Sequence, residues 1–407
     1  MRAPAPGPVR VALLGTRGYG ATHLRNLARL EEAGIARLVG VVDVAEPPEE
    51  LRGIHHRSLA ALLEAAPAED RPEIVAIATP IDTHVPLATE ALAAGLDVYL
   101  EKPPVPSLAD HWQLLEAARA AGRSVQVGFQ ARGGAGVDLL AGEVADGSLG
   151  EITAVRVHGA WQRDRAYYHR SAWAGRRRLN GRRVADGVAT NPLAHAVHAG
   201  LVIAGIQQAA DISSITTELR RAHDIEADDT TFLRIDPAGD GPAVVCALTT
   251  AAPTQHAPWI EIIGTGGRHR LWYTDDRSAR TTIDAATSTD GSVEELVHAR
   301  TDLMENLAAH VRDRSVQLLS PLESTSAFSA VLEAIQSVPD PLPIADSAID
   351  WQGEGEQAHP VVEAIEATLL AALAAGRPFT ELGVSWARED AVHTWTSPAE
   401  LVHAPTG

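Results

Sequence analysis

The stretch "VRVALLGTRGYGATHLRNLARL", residues 9–30, decides the fold. Its opening run is apolar apart from Arg10, as a strand buried on both faces of a parallel sheet requires. A turn rich in glycine follows, and beyond it leucines return at helical spacing as far as a glycine stop at Gly34. Outward from there the grammar repeats. "ARLVGVVD" (36–43), "EIVAIATP" (73–80), "DVYLE" (97–101) and "SVQVGF" (124–129) predict buried strands, while "SLAALLEAA", "HVPLATEALAAG" and "LADHWQLLEAARAAG" predict the helices between them. The alternation predicts an α/β domain over residues 1–129 with a doubly wound parallel sheet, a Rossmann fold.

From about residue 130 the pattern changes. "AGVDLLAGEVADG" (135–147) reads as one helix, and "EITAVRVHGAW", "DTTFLRI", "AVVCALTT" and "WIEIIGTGG" read as longer alternating strands. They predict a second, α+β domain over 130–407 around a mostly antiparallel sheet, closed by a helix in "HPVVEAIEATLLAALAAG" (359–376).

Bulk properties bound the function. A hydrophobic fraction of 45% and a mean hydropathy of -0.05 fit an ordinary soluble protein. No apolar run reaches the ~18–20 residues that span a bilayer, so no membrane partner is expected. The opening "MRAPAPGPVR" has no secretory core, and Cys246 is the only cysteine, so a cytoplasmic protein without intrachain disulfides is expected. A net charge of -19 argues against a nucleic-acid surface. "GRRRLNGRR" (175–183) is the local exception and reads as a loop, either solvated or beside an anionic ligand.

The turn "GTRGYGATH" (15–23) sits between the first strand and the first helix, where backbone can approach a pyrophosphate and unpaired N–H groups face its charge. In the usual G-x-G-x-x-G spacing Gly15 and Gly20 take the outer places, Arg17 stands where the middle glycine would be, and Gly18 is extra. Asp43 ends the second strand about twenty residues on, where a carboxylate accepts from both hydroxyls of an adenosine ribose. A 2'-phosphate would be repelled there, so NAD is expected over NADP.

One residue stands apart by composition. The 34 lysines and arginines resolve into Lys102 and 33 arginines. Arginine stays charged at any accessible pH, whereas lysine is a compact ammonium that can give up its proton in a suitable pocket. Lys102 follows a predicted strand in "LEKPP" (100–104), at the sheet edge where ligands bind in open α/β folds. The two prolines stiffen the segment and admit a cis peptide bond.

These residues together resemble the Gfo/Idh/MocA family, the glucose-fructose oxidoreductase and inositol dehydrogenase group. The resemblance is carried by "GTRGYGATH", by "ATPIDTHVPLATEALAAGLDVYLEKP" (78–103), by "VGFQAR" (127–132), and by "GSLGEITAVRVHG", "EADDTTFLRI", "EIIGTGG" and "SPLE" further on. It implies a Rossmann domain, a second domain with an open antiparallel sheet, a bound NAD(H) or NADP(H), and hydride transfer on sugars, inositols or related polyols. It also implies a homodimer or homotetramer. The cofactor contacts it implies are Gly15, Arg17, Gly18, Tyr19, Gly20, Asp43, Thr79, Pro80, His84, Glu101, Lys102 and Gln130, with Arg132, Tyr168, Trp173, Asn191, His195 and His198 around the substrate.

Family members carry an aspartate and, four residues on, a histidine beside the substrate. Here "VATNPLAHAVH" (188–198) places Asn191 where the aspartate would stand, His195 at the histidine, and His198 beyond. If 191, 195 and 198 lie on one helix, they share a face. An amide cannot lend negative charge, so the catalytic work is expected of Lys102 and His195, with Asn191 either orienting the substrate or capping the helix before Pro192. No third ligand completes a metal site with the two histidines, and none is expected. The expected chemistry is NAD-dependent oxidation of a secondary alcohol on a sugar, inositol or glycoside. Its rivals are glycoside cleavage through transient sugar oxidation, and a non-catalytic sensor of dinucleotide and sugar.

Overall fold

A computed structural model of the protein describes residues 7–284 and 289–396, so the first six residues of "MRAPAPGPVR" lie outside it. Two compact units divide the chain. The first runs to Val105 and includes Ala109–Gly133 and Thr301–Ser324; the second contains Pro106–Leu108, Gly134–Arg300 and the segment from Thr325.

The first unit holds β1 (Val9–Leu14), α1 (Gly20–Glu32), β2 (Ala36–Val42), β3 (His55–His56), α2 (Leu59–Ala65), β4 (Ile74–Ile77), α3 (His84–Ala93), β5 (Asp97–Leu100), α4 (Leu108–Ala121) and β6 (Val125–Val127). Its strands pair in the order β3-β2-β1-β4-β5-β6, and every pairing is parallel. The order turns back between β1 and β4, which opens a crevice at their carboxyl ends. The continuously apolar runs are continuously buried: all four residues of β4 and of β5 are inside.

The second unit begins with α5 (Ala135–Asp146), β7 (Ile152–Ala160), α6 (Arg165–His169), β8 (Arg178–Leu179), β9 (Arg182–Arg183) and α7 (Ala194–Ile203). There follow β10 (Ile212–Arg221), β11 (Thr230–Pro237), β12 (Val244–Thr249), β13 (Trp259–Gly264), β14 (Gly267–Trp272), β15 (Arg277–Asp284) and β16 (Thr289–Val297). The chain then returns to the first unit as α8 (Leu303–Arg312). Back in the second unit come α9 (Ser326–Ser337), β17 (Leu342–Pro343), β18 (Ile349–Gln352), β19 (His359–Val362), α10 (Ile365–Ala375) and β20 (Val392–Trp395).

The large sheet runs β16-β15-β14-β13-β7-β12-β11-β10-β17, with β20 also on β10. It is mostly antiparallel, as its alternating pattern predicts; β7 with β12 and β10 with β17 are the parallel pairs. On one face α7 lies so close that a Cβ on Gly200 would stand 2.5 Å from Val157. Against the other face Phe232, Val245, Ala247 and Trp259 pack with Ile365, Leu369, Ala372 and Leu373 of α10.

Two expectations are refined. The sequence pattern puts one boundary between 129 and 130; by spatial clustering the first unit reaches Gly133 and takes back 301–324. The reason is hydrophobic: Leu303, Met304 and Leu307 of α8 complete the cluster of Val11, Leu13, Leu27, Ile74 and Tyr99. The stretch "GRRRLNGRR" is a hairpin, not a loop, because Asn180 and Gly181 both take positive φ, 51° and 77°, the geometry of a tight two-residue turn. Its arginines are largely engaged within the protein. Arg176 pairs with Glu226 at 2.7 Å, Arg183 with Glu333 at 2.8 Å, and Arg177 caps the carbonyls of Ile335 and Val338.

Candidate functional site

The glycine turn is shaped by contacts no side chain could share. Gly15 has φ +85°, and a Cβ there would stand 2.7 Å from the Ala78 carbonyl oxygen, at the exit of β4. A Cβ on Gly20 would stand 2.1 Å from the Gly15 carbonyl oxygen. Gly18, at φ +56°, has open space around its Cβ position and is required by conformation alone. Gly20→Ala should therefore cost about 1–3 kcal/mol of stability by overpacking. Gly18→Ala should cost only roughly 1 kcal/mol, for a left-handed residue. Urea titration of both variants checks this, and equal losses would show that the turn has room at Gly20.

α1 starts directly from this turn with no side-chain cap and no acidic residue in its first turn; its first N–H groups, from Gly20 to His23, donate to the carbonyls of Arg17, Gly18 and Tyr19, so what the turn offers an anion is the positive end of the helix dipole. Asp43, just past β2, accepts from the Thr16 N–H at 3.0 Å and hydroxyl at 2.7 Å, and from the Ala45 N–H at 3.0 Å. Burial pushes its carboxyl up. The hydrogen bonds from Ala45 and Thr16 and the charge of Arg17 outweigh that, holding it below the usual value and therefore ionised near neutrality.

The segment carrying Lys102 leaves β5, the neighbour of β4, at the same carboxyl edge. Lys102–Pro103 is a cis peptide bond, the option its sequence left open. Two contacts fix the segment. Glu101 is buried; its Oε1 meets His23 Nε2 at 2.8 Å, and its Oε2 accepts the Lys102 backbone N–H at 3.2 Å. The His84 ring spans the Thr79 carbonyl on one nitrogen, at 2.9 Å, and the Pro103 and Pro104 carbonyls on the other, at 3.1 and 3.2 Å. Burial lowers the pKa of His84, against the pull of those carbonyls.

Glu101 and His84 therefore hold the Lys102 segment within the protein. Gln130 likewise gives its amide N–H to the buried Tyr99 hydroxyl, and Arg132 donates to the Leu319 carbonyl at 3.0 Å. Thr79 lies against the Gly15 turn, its Cγ2 3.0 Å from where a Gly15 Cβ would be. Pro80 and Tyr19 are exposed beside it, as is Arg17. His23, the trailing histidine of the motif, is the residue whose role the sequence did not disclose.

In the second unit, α7 begins at Ala194, so Asn191 precedes the helix and does not share its face with His195 and His198. Pro192 is the physical cause, because the residue before a proline is steered away from helical backbone. Leu193 is the capping position, and it makes no side-chain capping bond, so Asn191 is not the cap. Its Nδ2 donates instead to Asp186, a carboxylate the sequence reading did not single out. Asp186 is buried, paired with Arg170 at 3.0 and 3.2 Å, and accepts the Gly175 N–H at 2.6 Å. Burial raises its pKa, and Arg170, Asn191 and Gly175 offset only part of that.

His195 is half-buried on the first turn of α7, while His198 is buried with Phe328 as an edge-on neighbour at 6.4 Å. Tyr168 is a core residue: its hydroxyl meets Thr250 at 2.9 Å and its ring meets His223 at 4.5 Å. Trp173 is half-buried under the Arg170 guanidinium, 4.6 Å from its ring centre. Among the described residues no group of three or more histidines, cysteines and carboxylates could hold a metal ion. No helix among them is long and apolar enough to cross a membrane.

Residues 9–129 match the model of the Gfo/Idh/MocA oxidoreductase family, NAD-binding Rossmann fold. The match falls on the Rossmann sheet and helices of the first unit. Among curated relatives, inositol 2-dehydrogenase 1 of Paenarthrobacter aurescens is 31% identical over 146 residues, 35% of this chain and 43% of that protein. The inositol 2-dehydrogenase of Rubrobacter xylanophilus is 34% identical over 160 residues, 38% and 44% of the two chains. The matched part thus spans less than half the length of these relatives. Among solved structures, the WlbA dehydrogenase from Bordetella pertussis in complex with NADH and UDP-GlcNAcA superposes with a TM-score of 0.63 at 22% identity, over 81% of this chain and 95% of that one. An inositol dehydrogenase homolog from Azotobacter vinelandii complexed with NAD+ gives 0.64 at 19%, over 81% and 95%. These likenesses show that the fold of those structures extends along most of the chain.

Proposed function

We propose that the protein is an NAD-dependent oxidoreductase acting on a secondary alcohol of a sugar, inositol or glycoside. The observation that carries this reading is the place of its single lysine. Lys102 leaves β5, the Gly15 turn leaves β1, and β4 lies between them. Two inter-strand spacings put the lysine segment about 10 Å along the sheet edge from the turn that receives the phosphates.

The residues present fit a dinucleotide. Gly15 and Gly20 leave the backbone bare, the positive end of the α1 dipole would favour a pyrophosphate, and ionised Asp43 would suit ribose hydroxyls and repel a 2'-phosphate. NAD supplies the hydride acceptor when bound. Lys102 Nζ then takes the hydroxyl proton, which spares the reaction a high-energy protonated carbonyl. His195 assists at the substrate. The Asn191 amide, held by Asp186 through its Nδ2, orients the substrate. The inositol 2-dehydrogenase relatives support the polyol class.

The experiment is a panel of sugars, inositols and glycosides with NAD and with NADP, following absorbance of the reduced nicotinamide. NADH formation with a polyol, and weaker turnover with NADP, is expected. A purified chain that binds no NAD in a fluorescence titration would overturn the reading.

A further inference from the structure

Beyond Ala160, at the exit of β7, aromatic rings and guanidiniums alternate. Arg163 lies over the ring of Trp161 at 4.6 Å and that of Tyr167 at 5.0 Å; Arg170 lies over Tyr167 at 3.8 Å and Trp173 at 4.6 Å. This ladder stands beside the Asn191 turn. A Cβ on Gly159 would be 2.3 Å from Leu193, so the exit of β7 abuts the start of α7, and Arg170 reaches Asn191 through their shared partner Asp186.

The two arginines differ in what holds them. Arg170 is neutralised by Asp186. Arg163 has no carboxylate within ion-pair distance among the described residues, in a chain with 53 acidic residues against 34 basic ones. Its NH1 donates to the Gln162 carbonyl at 2.8 Å and to Gln255 Oε1 at 2.9 Å, both uncharged, and its buried Nε has no hydrogen-bond partner. Its backbone, by contrast, is pinned on both sides: the N–H donates to the Thr250 carbonyl at 3.0 Å, and the carbonyl accepts from His223 Nε2 at 3.1 Å. His223 is itself held by buried Asp229 at 2.9 Å. A rigidly mounted guanidinium that stacks on Trp161 and Tyr167, bonds only to uncharged groups and has no carboxylate beside it carries a charge the protein leaves uncompensated, suited to pairing with an anion.

We propose that Arg163 is a specificity-determining residue that binds an anionic substituent, carboxylate or phosphate, on the sugar substrate, with Trp161 and Tyr167 flanking the site. The inference rests on the sugar-oxidoreductase reading and narrows its substrate class to acidic sugars.

The test uses the full chain with D-glucuronate, D-glucose 6-phosphate and D-glucose as probes, in calorimetric binding and in NAD-linked turnover, for the parent, Arg163→Gln and Arg163→Lys. The parent should prefer one of the acids to glucose, and the winning acid separates carboxylate from phosphate. In Arg163→Gln the ratio of kcat/KM for that acid over glucose should fall about 10- to 100-fold, chiefly through KM, as loss of a charge-assisted hydrogen bond predicts. Taking the ratio within one preparation cancels any partial loss of fold. Arg163→Lys should keep part of the preference, because the charge remains while the fork is lost. If neither acid binds more tightly than glucose, or if the ratio is unmoved in Arg163→Gln, the proposal is overturned while the oxidoreductase reading stands. If the acid binds through Arg163 and nothing is oxidised with NAD, the subsite stands and the reaction assigned to it falls.

Discussion

Lys102→Arg should lose about 10²- to 10⁴-fold in kcat, the range of a positioned proton acceptor, while NAD affinity stays within a few-fold of the parent. Arginine keeps the positive charge but cannot be deprotonated in a protein, so it cannot receive the hydroxyl proton. The comparison with Lys102→Met decides between two roles. If the ammonium acted only as a fixed charge, Arg would retain most activity and Met would lose it. If it moves a proton, both variants fail together. The surroundings favour a clean reading, since the segment is fixed through the backbone N–H of Lys102 to Glu101 and the prolyl carbonyls to His84, neither of which uses the lysine side chain. Steady-state rates, a nucleotide titration and a thermal melt on the three proteins are sufficient. An arginine variant with near-parental turnover sinks the proton role.

Much of the first unit was legible because burial on both faces leaves a strong mark. A parallel strand such as β4 must be apolar throughout, and glycines at 15 and 20 are demanded by backbone contacts that a sequence can announce. Lys102 was legible for a different reason, namely that its identity contradicts an otherwise all-arginine usage. What escaped depends on residues far apart in the chain. The apolar stripe of α8 says that it is a helix with one buried face, but not that this face belongs to a sheet built from residues 9–127. Glu101 and His23 are 78 residues apart, and nothing local links them. The hairpin in "GRRRLNGRR" was within reach, because Asn-Gly between short flanks is a strong turn signal; the density of arginine obscured it. Helical periodicity does not carry back through Pro192 to Asn191, because the residue before a proline is steered away from helical backbone.

Asn191→Asp restores the acid that the family resemblance leads one to expect at this position, yet it should weaken the protein rather than improve it. Asp186 is already buried in hydrogen-bond contact with Asn191, and its pKa is raised by that burial even with Arg170 and the Asn191 amide in place. A second carboxylate there removes a donor to a buried anion and sets two like charges against each other, so the pair must retain a proton. The cost at neutral pH should be about 1–3 kcal/mol, from the lost hydrogen bond to a charged group. The sign with pH follows from linkage. In the unfolded chain both groups titrate near the ordinary aspartate value of about 3.9, while in the folded variant the shared proton is held more tightly. The folded state then binds more protons than the unfolded one between those two values. Stability relative to the parent is therefore fully present below the unfolded pKa and is lost as pH rises through the raised folded one. Urea unfolding of parent and variant across pH 4 to 8 should show a gap that widens with pH, with no gain in turnover at neutral pH. A gap that is constant with pH, or that narrows, would mean that position 191 does not face Asp186, and the substrate-orienting role assigned to Asn191 would lose its support.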